Sequence, residues 1–187
     1  MAYEEFKQKL IDLQHYANLF KAELLDRDGF KKFADNLRSN VQSWTQICIT
    51  GYFSETIRKS LESIAKGSPI TNVRLICPHL NVKKSVRDKK NVQALKKLAS
   101  KGVQIEVNDR LHARFLVAYD IVEKHPNKEY RGLLLIGSFD FNTECIGRER
   151  YDAGIMTRNP DLIESAVRLF EQIWNEPESI LLKDYEP

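Results

Sequence analysis

The chain has 187 residues, 42% hydrophobic and 29% charged, with few glycines and prolines. That length and balance are those of one globular domain with a sizeable core, and no apolar run approaches the length of a membrane span. The net charge is only +3, so bulk charge announces no polyanionic partner. Charge is nevertheless unevenly spread. Between Asn81 and Lys101 there are eight Lys or Arg and one acid, Asp88, whereas Glu171 to Pro187 holds five acids and one Lys.

Phe6, Leu10, Leu13, Ala17, Phe20 and Leu24 alternate spacings of four and three, a narrow apolar seam on one helix. Such a seam packs on its own core or serves a dimer. Its charged start, MAYEEFKQKL, does not read as a signal peptide. Asp26-Arg27-Asp28-Gly29 breaks the seam, and Phe30, Phe33, Leu37, Val41 and Trp44 continue on a second helix. Thr45 to Phe53 reads as a buried strand, followed by Ser54 as a helix N-cap; Ile57, Leu61 and Ile64 give that helix its face. Asn72 to Cys77 is a strand stopped by Pro78. A helix from about Asn91 carries Val92, Leu95 and Leu98, and Val103 to Val107 is the next strand. This alternation predicts an α/β domain: a mixed, mostly parallel central sheet flanked by helices on both faces, with an extra N-terminal helical segment. In such sheets ligands sit beyond the carboxyl ends of strands, which places Gly51, Tyr52, Ser54, Pro78 and His79 at one rim.

Asn108-Asp109-Arg110 turns into a strand opened by His112 and Arg114 and running past Tyr119. Val122 to Arg131 reads as a polar, irregular connection. The Gly132 to Gly137 strand ends in Gly137-Ser138-Phe139-Asp140-Phe141, and a charged loop with Glu149 leads to a strand over Asp152 to Thr157. Asn159-Pro160 opens a last helix buried through Ile163, Val167, Phe170, Ile173 and Trp174. The expected organisation is one domain over 1–187: an N-terminal helical segment to 43, a core over 44–176 and an irregular tail over 177–187. If the His112 and Gly132 strands pair antiparallel, His112, Arg114, Ser138 and Asp140 meet at one edge, where imidazole, cation, hydroxyl and carboxyl suit phosphate. Cys48, Cys77 and Cys145 show no metal spacing and point to a reducing, cytoplasmic setting.

His-x-cation opening a strand, Gly-Ser ending the next, and a charged loop leading to a third together resemble the phospholipase D superfamily, over roughly Trp44 to Glu176. The short single-motif bacterial nucleases, with their Gly-Ser-Phe-x-Phe segment, are the branch most similar. The resemblance implies a metal-independent phosphodiesterase, without cofactor, that works as a homodimer through a phosphohistidine on nucleic acid rather than on a membrane. Carried over, His112 is nucleophile or acid, Arg114 holds the phosphate in place of the family's Lys, Ser138 donates to it, and Asp140 stands at the Asn place. Glu149 or Asp152 is then the carboxylate that orients the imidazole. Tyr52 and Ser54 at the rim and Lys83, Lys84, Lys89 and Lys90 in the basic stretch are substrate-binding candidates. The chain departs from the pattern at Arg114, at Tyr119 where the family has Asp, and at Asp140. The alternative is a catalytically degenerate module of the same fold that binds nucleic acid, another phosphorylated ligand or a partner protein.

Overall fold

The computed structural model describes residues 22–51, 55–67, 71–78, 80, 86–124, 126–138 and 153–185. Eight strands form one sheet: β1 Ala22–Leu25, β2 Gln46–Thr50, β3 Asn72–Cys77, β4 Gln104–Asn108, β5 Phe115–Lys124, β6 Asn127–Gly137, β7 Gly154–Thr157 and β8 Ser179–Leu181. The helices are α1 Arg27–Asp35, α2 Leu37–Val41, α3 Glu55–Gly67, α4 Val86–Ala99 and α5 Pro160–Trp174. The sheet order is β1-β7-β6-β5-β2-β3-β4-β8.

The mixed α/β architecture with helices on both faces is as the sequence predicts. The pairing is less parallel than expected. β2 with β3 and β3 with β4 are the parallel pairs, from the two crossovers through α3 and α4. The remaining neighbours, β1–β7, β2–β5, β4–β8, β5–β6 and β6–β7, are antiparallel. Parallel neighbours need a crossover connection, which α3 and α4 supply, whereas β5 and β6 are joined directly as a hairpin.

Alternation along the strands splits the core in two. Ile47, Ile49, Val73, Leu75, Ile105, Leu116, Leu133 and Leu135 face α1 to α4. Cys48, Ile76, Phe115, Val117, Tyr119 and Leu134 face α5 through Ile163, Val167 and Phe170. α5 begins where the sequence places it, with Asn159 accepting from Asp161 N and Leu162 N and proline in its first turn. Asp26 caps α1 by accepting from Gly29 N at 2.9 Å.

Four local expectations change. Ala22 to Leu25, read as the end of a helical seam, form edge strand β1 against β7. AELL has helical propensity, but the open backbone of β7 supplies ladder partners that propensity does not see. The helix after Asp26 divides at Asn36 into α1 and α2. The tail is not irregular: β8 pairs with β4, Leu182 N donates to Ile105 O at 2.9 Å, and buried Tyr185 reaches the Leu80 backbone through its hydroxyl. The segment Val122 to Arg131 is a hairpin arm, paired from Lys124↔Asn127 inward. β2 pairs with β5 only as far as Tyr119, and β7 with β6 only from Leu134. The outer arm therefore projects beyond the sheet, with no further strand beside it among the described residues.

Gly132 is the tightest point of that hairpin. A Cβ there would lie 2.1 Å from Ala118 O, so the close approach of β5 and β6 requires glycine.

Candidate active site

The carboxyl ends of β2, β3, β4 and β6 and the start of β5 lie at one rim, because β5 runs against β2 and β6. The link Leu111 to Arg114 crosses this rim before β5 begins at Phe115. His112 and Arg114, expected as the first residues of the strand, thus sit just ahead of it.

Several interactions fix the link. Buried Asn108 accepts from Arg110 N at 2.8 Å through its side-chain oxygen, and its amide donates to Ser179 Oγ and Glu176. Leu111 N donates to Asn108 O, and the Leu111 side chain is buried against Phe115 and the α5 side of the sheet. At the other end Phe115 N donates to Thr50 Oγ1 at 3.1 Å. Leu111 and Phe115 point inward, and His112 between them is exposed. A pocket of about 280 Å³ opens here, lined by Gly51, Pro78, Asp109, Leu111, His112, Ala113 and Arg114. Gly51 turns the chain away from β2 with φ 125°, a conformation that suits glycine.

The expected meeting of the two strand ends is present for the described residues. Gly137 N donates to Arg114 O at 3.3 Å, and the Arg114 guanidinium donates to Ser138 O at 3.0 Å. The Ser138 hydroxyl accepts from Ala153 N at 3.2 Å and also contacts Ala153 O, tying β6 to the approach of β7. Arg114 and Ser138 are therefore part of the scaffold of the rim as well as of its surface. Lys89 and Lys90 are exposed in the first turn of α4. Asp140, Glu149, Asp152, Tyr52, Ser54, Lys83, Lys84, His79, His125 and Cys145 lie outside the described residues.

Sequence reasoning missed Thr50 and Asn108, which hold the two ends of the His112 link. Asn108 had a readable signal, since an Asn two residues ahead of Arg110 is the pattern of an Asx turn. Thr50 had none, being one β-branched residue in an apolar strand. Asp120, one residue past the position where the resemblance expects an acid, is midway along β5, just past the end of its pairing with β2. It accepts from Thr45 N at 2.8 Å and Thr45 Oγ1 at 2.6 Å, pinning the start of β2. Tyr119 is buried on the α5 face beside Tyr130.

That α5 face holds a second polar group away from the rim. The Arg74 guanidinium donates both ends of its fork to Glu171 and lies 5.0 Å from the Phe170 ring centroid and 5.4 Å from that of Trp174. Its Nε, and Oε2 of neighbouring Glu106, are buried without a hydrogen-bond partner among the described residues. Burial pushes the Glu106 carboxyl up to about 7, against the opposing pull of Arg74. Burial likewise pushes the Cys48 thiol up to about 11 and Cys77 to about 12, so both behave as small hydrophobes.

The strand order and the rim pocket define an α/β domain of phospholipase D type. The family model described as Cardiolipin synthase, PLD-like domain, matches residues 39–174, and the chain belongs to that family. Among solved structures it is similar to Nuc from Salmonella typhimurium, a phospholipase D family member, with 15% identity, TM-score 0.61, and coverage of 89% of this chain and 99% of that one. NucT from Helicobacter pylori has 12% identity and TM-score 0.61, covering 86% and 98%. Phosphatidylserine synthase from Haemophilus influenzae Rd KW20 has 16% identity and TM-score 0.64, covering 99% of this chain and 44% of that one. At these identities the likeness is one of fold. None of the curated proteins matches the chain.

Proposed function

We propose that this protein is a metal-independent phosphodiesterase, a nuclease that cleaves DNA or RNA through a phosphohistidine in a homodimer. Membership of the phospholipase D superfamily supports a phosphodiesterase-type function. The observation that carries the finer reading is the exposed His112 at the pocket beside Arg114.

In this reading a His112 ring nitrogen attacks phosphorus, the P–O bond to the leaving group breaks, and the imidazole of His112 on a second copy protonates that oxygen. Water then attacks phosphorus, the P–N bond breaks, and the second imidazole takes up the proton released by the water. Arg114 holds non-bridging oxygens, its fork replacing an ammonium. Ser138 donates to the phosphate, Glu149 or Asp152 orients an imidazole, and Tyr52, Ser54, Lys83, Lys84, Lys89 and Lys90 bind substrate. Asp140 has to be protonated or paired with Arg114 to tolerate an anion.

One copy supplies a single His-x-Arg, so the chemistry requires two. A partner face is supported by Ile136 and Ile155, cross-strand neighbours that are 44% and 39% exposed on the α5 side of the sheet close to the rim. No described helix is long and apolar enough to cross a membrane. Buried free thiols at Cys48 and Cys77 suit a cytoplasmic setting.

A degenerate binding module is the second reading, favoured by the scaffold roles of the Arg114 guanidinium and the Ser138 hydroxyl. The test is cleavage of single- and double-stranded DNA and RNA in excess chelator. We expect cutting, a trapped acid-labile phosphoimidazole, and a loss of roughly 10³-fold or more in His112→Ala. Intact substrate under all conditions, with undiminished binding, transfers the case to the module.

A further inference from the structure

We infer that the outer surface of α4 is a track for the phosphate backbone of a nucleic acid, leading away from the rim pocket. This deepens the nuclease reading by separating polymer binding from the reacting centre. Lys89, Lys90, Lys96, Lys97 and Lys101 are all exposed. Lys89 and Lys96, and likewise Lys90 and Lys97, are seven apart and share a helix face; Lys101 follows in the turn after the helix ends at Ala99. α4 starts where the chain returns from the carboxyl end of β3, so the row begins near Pro78 and the His112 pocket and ends at the opposite side of the sheet.

Elsewhere on the surface, charges of opposite sign are interleaved. Lys124 and Arg131 meet Glu129, Arg168 meets Glu164, and Arg110 meets Glu178. On α3 and α4 the described acidic side chain is Glu62. Its carboxyl is held below the usual range first by a hydrogen bond from Lys66, with Lys97 and Lys101 adding to the effect. By sequence, α3, α4 and Lys101 carry nine Lys or Arg against three acids, Glu55, Glu62 and Asp88, which leaves a net positive strip. From Lys89 to Lys97 the helical part of the row spans about 12 Å at 1.5 Å per residue, room for roughly three phosphates of one duplex strand at about 3.4 Å each.

A polybasic helix also suits an anionic membrane, but such a helix inserts apolar side chains. Those of α4, Val92, Leu95 and Leu98, are 8%, 3% and 3% exposed and belong to the core. The large exposed hydrophobics are on β5 to β8 and α5, none on α3 or α4 among the described residues.

The experiment measures binding of a 30-nucleotide duplex and single strand against salt, for the full chain and for K96A/K97A/K101A and K96R/K97R/K101R. The alanine variant is expected to flatten the slope of log affinity against log salt by about two to three, and the arginine variant to keep it. An unchanged slope in the alanine variant overturns the track. So does binding to vesicles of phosphatidylglycerol in preference to both nucleic acids, which makes the strip a membrane contact. Hydrolysis of bis(p-nitrophenyl) phosphate by the wild-type chain reads the pocket alone. Its absence with an intact slope difference defeats the phosphodiesterase reading and leaves the track standing.

Discussion

The two faces of the sheet are built on different terms. The face under α1 to α4 is closed mainly by aliphatic and aromatic side chains, from Ile47 and Leu75 to Leu61 and Phe30, with the Cys77 thiol and Tyr185 phenol among them and no charged side chain in its buried cluster. The face under α5 is closed by a single long helix and contains a guanidinium, two carboxylates, a thiol and a phenol: Arg74, Glu106, Glu171, Cys48 and Tyr119. Burial of apolar area involves no protonation change, whereas buried polar groups make stability conditional on their partners and protonation. The difference teaches that the rim pocket rests on one unconditional layer and one conditional layer.

Truncation in each layer separates them. Leu61→Ala removes a fully buried side chain under α3; we expect a loss of about 3 kcal/mol, the same at acidic and alkaline pH, read by urea denaturation. Arg74→Ala strips the cation from over the stacked Phe170 and Trp174 rings and leaves Glu171 without it. Glu171 is 40% exposed and regains water, so the expected loss is nearer 2 kcal/mol. It should also steepen the pH dependence, because Glu106 loses the charge that opposes its raised pKa. Equal losses for Arg74→Ala at every pH would erase the contrast.

Glu106→Gln is the mildest of the three and the sharpest. With its folded carboxyl pushed up to about 7, the folded protein holds a proton that the unfolded chain releases near the ordinary glutamate range of about 4.3. Stability therefore falls as pH rises through that window and stays lowered above it. Glu106→Gln should flatten the profile and stabilise the protein by about 1–2 kcal/mol at alkaline pH. A profile with the same slope as wild type would show that Glu106 is ionised in the fold.

Legibility in the sequence followed the range of the interactions. α5 was readable because its cap, its proline and its buried face are all local. The antiparallel meeting of Arg114 with Ser138 was readable because the two apolar runs are hairpin neighbours. β1 and β8 were not, since each is a short strand whose reason lies in an edge far away in sequence, β7 for one and β4 for the other. Val122 to Arg131 reads as loop by its charges, yet it pairs as a hairpin, in which Lys124 meets Glu129 across the strands and Arg131 meets the same Glu129 along β6. The Arg74 group was invisible for a similar cause: Arg74 interrupts an apolar strand, and the acid that neutralises it is 97 residues away.

The projecting β5–β6 arm has a consequence for colloidal behaviour. Among the described residues no strand pairs with its outer edges, and Ile121 is 46% exposed there. Such an edge is a template on which like chains can zip together. Glu123, Lys124, Lys128, Glu129 and Arg131 surround it with charges of both signs, three of which are already matched within the arm. A docking copy would bring its own charges against these, which disfavours edge-to-edge growth.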